Sequence, residues 1–188
     1  MKFGLWPLVL GLWFETILYR SKTEDQRPKP HIKMNTIDHL RQLFAYNDWA
    51  NRRIITAIKE NYVEKSHKIL AHLLITEQEY FERLYGKDSK GFDFWPDLSL
   101  EECGTLARET AERYEKLLRR FEDEGLDITA QYRTSEGVWH ENTFRELLTQ
   151  VLFHSSIHRG NIMINLREAG FPPPKIDYII YLRETKYI

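Results

Sequence analysis

The chain has 188 residues, 42% hydrophobic and 29% charged, which is enough apolar material for one domain with a proper core and too little for two. Lys and Arg (27) nearly balance Asp and Glu (28), so the formal charge is −1 and the electrostatic footprint of a generic nucleic-acid binder is missing. A single cysteine, Cys103, excludes an internal disulfide framework and a cysteine-based zinc site; it fits a reducing, cytoplasmic setting and reads as a small buried apolar residue on a helix.

Residues 1–33 differ in character from the rest. FGLWPLVLGLWF is an apolar run broken by Pro7 and followed by Glu15, after which the chain turns polar through SKTEDQRPKPHIK. As a signal peptide it is poor, because only Lys2 precedes the run and no small-residue cleavage site follows. As a membrane anchor it is at the short limit, about 17 residues with an internal Glu. The reading preferred here is an upstream extension, with the domain proper at 34–188 and translation beginning naturally at Met34.

From Thr36 the apolar spacing is helical: Ile37, Leu40, Phe44, Ile54, Ile55 and Ile58 predict a first helix ending near Lys59. Ser66 is the expected N-cap of a second helix, which Gly86 closes, with an apolar stripe of Ile69, Leu70, Leu73, Leu74, Phe81 and Leu84. KDSKGFDFWPD is a loop by composition, and its three aromatics imply that it packs down on something. Ser99 and Glu102 form a capping box for a third helix, followed by a small hairpin in ITAQYRTSEGVWHEN. A fourth helix runs from about Thr143 to Ala169 and stops at Gly170 and Pro172-Pro173-Pro174. The tail IDYIIYLRETKYI is expected to pack back on the rest. Four amphipathic helices around a common core predict an all-α four-helix bundle with a small β-hairpin between helices three and four.

The fourth helix carries VLFHSSIHRGNI, in which His154 and His158 fall on the arc of Phe144, Leu147, Val151 and Ile162. Two imidazoles pointing inward side by side need partners, and one shared metal ion satisfies both. Ser155 stands where a zincin protease needs its glutamate, and only Glu64 with His67 has the Glu-x-x-His spacing of which a di-iron bundle needs two. A metal site here would therefore be mononuclear and would need a third ligand from His31, His39, His67, His72, His140, Asp48 or Glu77. His72 is best placed, near the middle of the second helix at the edge of its stripe, but periodicity leaves the choice open. Gly160 in mid-helix costs about 1 kcal/mol relative to Ala, which a close helix approach would explain. Arg159 is expected either to bind an anionic group at the mouth of the site or to pair with a surface carboxylate. Tyr46 and Trp49 read as core aromatics.

The segments YNDWAN (46–51), ILAHLLITEQEYF (69–81) and FHSSIHRGNI (153–162), in this order on helices one, two and four, resemble the DinB/YfiT-like family of metal-binding bundles. The resemblance spans roughly residues 35–188, and Asn161 stands where the commonest family form has Gln. It implies that His72, His154 and His158 together bind one divalent metal ion, zinc or nickel foremost, and that the protein is a homodimer. It further implies a thiol-dependent S-transferase, in which a low-molecular-weight thiol such as bacillithiol or mycothiol is activated for attack on a small electrophilic substrate. Two other readings stand beside it: a hydrolase using bound hydroxide with Glu77 as base, and a non-enzymatic metal-binding stress-response bundle. No nucleic-acid partner is expected, and no membrane association of the main domain.

Overall fold

The computed structural model describes residues 35–186; the apolar run and the extension assigned to residues 1–33 lie outside the described residues, as does His31. Within them the chain forms α1 (Thr36–Glu60), α2 (Glu64–Arg83), α3 (Leu100–Leu118), a 3-10 turn (Asp123–Asp127), β1 (Thr129–Arg133), β2 (Trp139–Thr143), α4 (Phe144–Glu168) and α5 (Tyr178–Lys186). The four long helices make the bundle, in which α2 packs on α4, α1 on α3, α2 on α3 and α1 on α4. No described helix is long and apolar enough to cross a membrane.

Local chemistry explains the helix ends. Ser99 and Glu102 form the expected capping box on α3, and Thr143 with Glu146 forms a second one on α4 that joins the hairpin directly to the helix. Asn35 caps α1 by accepting from the Asp38 amide at 2.8 Å. The start of α2 corrects the sequence expectation. The helix begins at Glu64 after Val63, which offers no side-chain cap, and Ser66 is buried inside it. The apolar packing of α2 outweighs the propensity of serine for a helix start. Gly86, at φ +75°, ends the turn as expected. The hairpin pairs Thr129 with Thr143 through Arg133 with Trp139.

The core is split into two apolar halves. One gathers Ile37, Leu40, Phe44, Phe81, Tyr114, Leu117, Leu147 and Val151; the other gathers Ala50, Ile54, Ile58, Leu70, Leu74, Ala107, Ile162 and Leu166. On every helix the residues between the two halves are polar and buried: Asn47 and Asn51 on α1, Thr76 and Glu77 on α2, Thr110 on α3, Ser155 and Arg159 on α4. A polar layer thus crosses the bundle at mid-height. The tail is the helix α5, and it does pack back: Tyr178 and Tyr181 meet Tyr46 at 5.2 and 5.8 Å, and Glu184 pairs with Arg53 at 2.6 Å.

Candidate metal centre

Within the polar layer Asn47, Asn51, Glu77, Ser155 and Arg159 form one hydrogen-bonded network, while Thr76 Oγ1 stands outside it without a partner. The Arg159 guanidinium, 2% exposed, donates to Oδ1 of Asn47 at 2.6 Å and of Asn51 at 2.8 Å. Both asparagines turn their amide nitrogens toward the Glu77 carboxylate, at 2.7 and 3.0 Å, and Ser155 Oγ donates to the same carboxylate at 2.6 Å. Each amide therefore stands between a buried cation and a buried anion, with its dipole aligned to both, which is how two charges are accommodated in a core. This overturns both expectations for Arg159, which reaches neither a mouth nor a surface carboxylate. The apolar stripe of α4 runs Val151, Ser155, Arg159, Ile162, so Arg159 lies at its centre.

His154 and His158 sit one position back from Ser155 and Arg159, on the half-buried shoulder of that stripe. Anchoring Ser155 and Arg159 in the polar layer fixes the rotation of α4 and aims both imidazoles toward α2. There His72, five residues before Glu77, completes the group. Ligand atoms from His72, His154 and His158 all lie within 4.8 Å of one another, and the Nε2 atoms of His154 and His158 are 3.1 Å apart. His72 Nδ1 donates to the Phe94 carbonyl at 2.6 Å, which leaves its Nε2 lone pair free. The Trp95 indole stacks on the same imidazole, with centroids 4.0 Å apart and planes 8° from parallel. The loop that composition predicted to pack down thus packs on a histidine.

The electrostatics favour neutral rings. Burial, with the nearby His158 and His72, pulls the His154 pKa down to about 4, and burial with His72 lowers His158 as well. Deprotonated imidazoles are what a metal ion requires. His158 Nδ1 is buried without a hydrogen-bond partner. Three converging imidazoles, one of them oriented through its second nitrogen, fit a divalent ion such as zinc, and three histidines are a ligand set that leaves a further coordination position open.

The other candidates are not brought to this place. His39 and His140 are exposed, while His67 lies beside Tyr62, whose hydroxyl is 3.2 Å from its Nδ1. Asp48 pairs with Arg52, and Glu64 pairs with Lys68 at 2.6 Å. Glu77 is held in the polar layer by three side-chain donors, so the base named for the hydrolytic reading is already engaged. Cys103 is buried on α3, as expected, and burial pushes its thiol up to about 11. Gly160 departs from expectation: it is exposed, and a Cβ there would meet nothing within 4 Å. Among the described residues, nothing crowds that position. Asn47, Asn51, Ser155 and the role of Arg159 were missed from sequence. Their signal was available, since 47/51 and 155/159 are two pairs of polar residues at i, i+4 spacing that interrupt apolar stripes at matching heights.

A helical bundle presenting three histidines from two neighbouring helices, able to hold one metal ion, is the class that fold and site define. The chain belongs to the DinB family, whose model matches residues 34–187. It is similar to Protein DinB of Bacillus subtilis (strain 168), 28% identical over 163 residues, covering 77% of this chain and 94% of that protein.

Proposed function

We propose that the protein is a metal-dependent transferase that activates a low-molecular-weight thiol, of the bacillithiol or mycothiol kind, for attack on a small electrophile. His72, His154 and His158 would hold one divalent ion, zinc or nickel. The observation that carries the reading is the convergence of three imidazoles from α2 and α4, with no carboxylate among them. When bound there, the ion would keep most of its positive charge and make a coordinated thiol far easier to deprotonate. The chain's own residues supply the rest. His72 is oriented by Phe94, the α4 pair is rotated into place by Ser155 and Arg159, and burial favours the deprotonated form of that pair. With Glu77 engaged in the polar layer, the site offers no evident carboxylate base for water, and this favours a nucleophile whose own acidity suffices. We further propose a cytoplasmic homodimer.

Metal content of the purified full-length chain tests this first, beside His72→Ala, His154→Ala and His158→Ala. About one equivalent in the parent is expected, with loss in each variant. Loaded protein is then screened for consumption of a thiol with a model electrophile. Retention of the metal by His72→Ala would break the ligand assignment, and a loaded protein inert toward every thiol would break the transferase reading.

A further inference from the structure

We propose that Trp95 is the specificity-determining wall of this site, and that the electrophilic substrate carries a flat apolar group, an aromatic ring or conjugated system, which lies on the open face of the indole. The proposal rests on the metal-dependent reading above. One face of the indole is stacked on His72, yet Trp95 is 59% exposed, so the opposite face is free. The backbone that carries it is also held in place. The Asp93 carboxylate accepts from the Trp95 amide at 2.8 Å, and the preceding carbonyl, that of Phe94, accepts from His72.

The loop is fixed further back as well. Ser89, 1% exposed, donates through Oγ to Glu79, accepts from Arg83 Nε at 3.1 Å, and donates through its amide to the Arg133 carbonyl at 3.0 Å. An aromatic surface carried on an anchored loop and stacked on His72 is a preorganised platform, because less ordering remains to be done when a ligand arrives. Phe153 and Ile157, each 64% exposed, directly precede His154 and His158 on the solvent side of α4 and add no charge beside them. A compact polar substrate would gain little from the indole face, whereas a flat apolar one gains stacking.

The test uses full-length zinc-loaded protein and two probes with the same chelating head, benzohydroxamate and acetohydroxamate, whose dissociation constants are measured by calorimetry. The parent is expected to bind the aromatic probe about tenfold more tightly, in the range that ring stacking and apolar burial supply. Trp95→Ala should retain the zinc and bring the ratio close to one, and Trp95→Phe should keep most of the preference. A ratio near one in the parent, or an undiminished ratio in Trp95→Ala, overturns the proposal. Loss of zinc from Trp95→Ala also overturns it, by reducing Trp95 to a support for His72. If the full-length chain takes up no zinc, and so neither probe, the platform and the metal reading fall together. A preserved hydroxamate preference without thiol-dependent turnover supports the platform and removes only the transferase reading.

Discussion

Two polar clusters meet on α2 and α4, one of them reaching α1 as well, and they behave in opposite ways. In the mid-bundle layer, Glu77, Ser155 and Arg159 join Asn47 and Asn51 in a network where each charge faces side-chain partners. One residue back along α4, the His154 and His158 rings meet Nε2 to Nε2 at 3.1 Å, and His158 Nδ1 has no partner. Neighbouring positions on one helix therefore carry a saturated structural cluster and an unsaturated one. Burial alone does not separate them. What separates them is whether the hydrogen-bonding capacity is used up within the chain, and the cluster where it is not is the one with capacity left for a ligand.

The comparison can be broken first at its structural half. Arg159→Leu should destabilise the fold by about 3–5 kcal/mol, because it leaves the Glu77 carboxylate and two amide oxygens buried without their cation. Urea denaturation measures this, and a loss below about 1 kcal/mol would mean that the network does not couple these charges. The histidine half responds to acid. An unfolded histidine titrates near ~6.5, His154 in the fold near 4, so between these values the unfolded chain binds more protons and stability rises with pH. The metal-free protein should accordingly be steady above about pH 6.5 and weaken as the pH falls toward 4, with a shallower decline in His154→Ala. Denaturation midpoints across that interval check the sign.

Smaller changes sharpen the contrast. Gly160→Ala, on the same helix but facing open space, should stabilise by about 1 kcal/mol, read as a higher melting temperature, since it removes only the glycine penalty. His154→Ala in metal-free protein near neutral pH should shift stability by less than about 1 kcal/mol, although it is expected to abolish metal uptake, because the half-buried ring has a single hydrogen-bonding contact to lose, that with His158 Nε2. A loss comparable to that of Arg159→Leu would place the histidines in the structural network after all.

Much of this was legible in the sequence. The helices, the hairpin, the Ser99 capping box and the stop after Gly170 follow from apolar spacing and local hydrogen-bonding chemistry, both of which act over a few residues. His154 and His158 were legible for the same reason, being neighbours on one helical face. His72 was not fixed by spacing alone, because its approach to α4 depends on how two helices 82 positions apart pack (154 − 72), and the family resemblance supplied what periodicity left open. Ser66 and Gly160 misled because propensity was read as position: Ser66 went inside the helix with its packed face, and Gly160 had no neighbour to make room for. Arg159 misled more deeply. A guanidinium is expected at the surface unless its partners are known, and those partners come from α1 and α2, more than eighty residues away.

The stack of Trp95 on His72 also makes the site observable. An indole in van der Waals contact with a metal-ligating ring would lose its emission to an open-shell ion such as nickel and keep it beside closed-shell zinc. Emission from this one side chain, followed in the parent against Trp95→Phe, would therefore report which ion the protein has taken up, and how quickly, without any added dye.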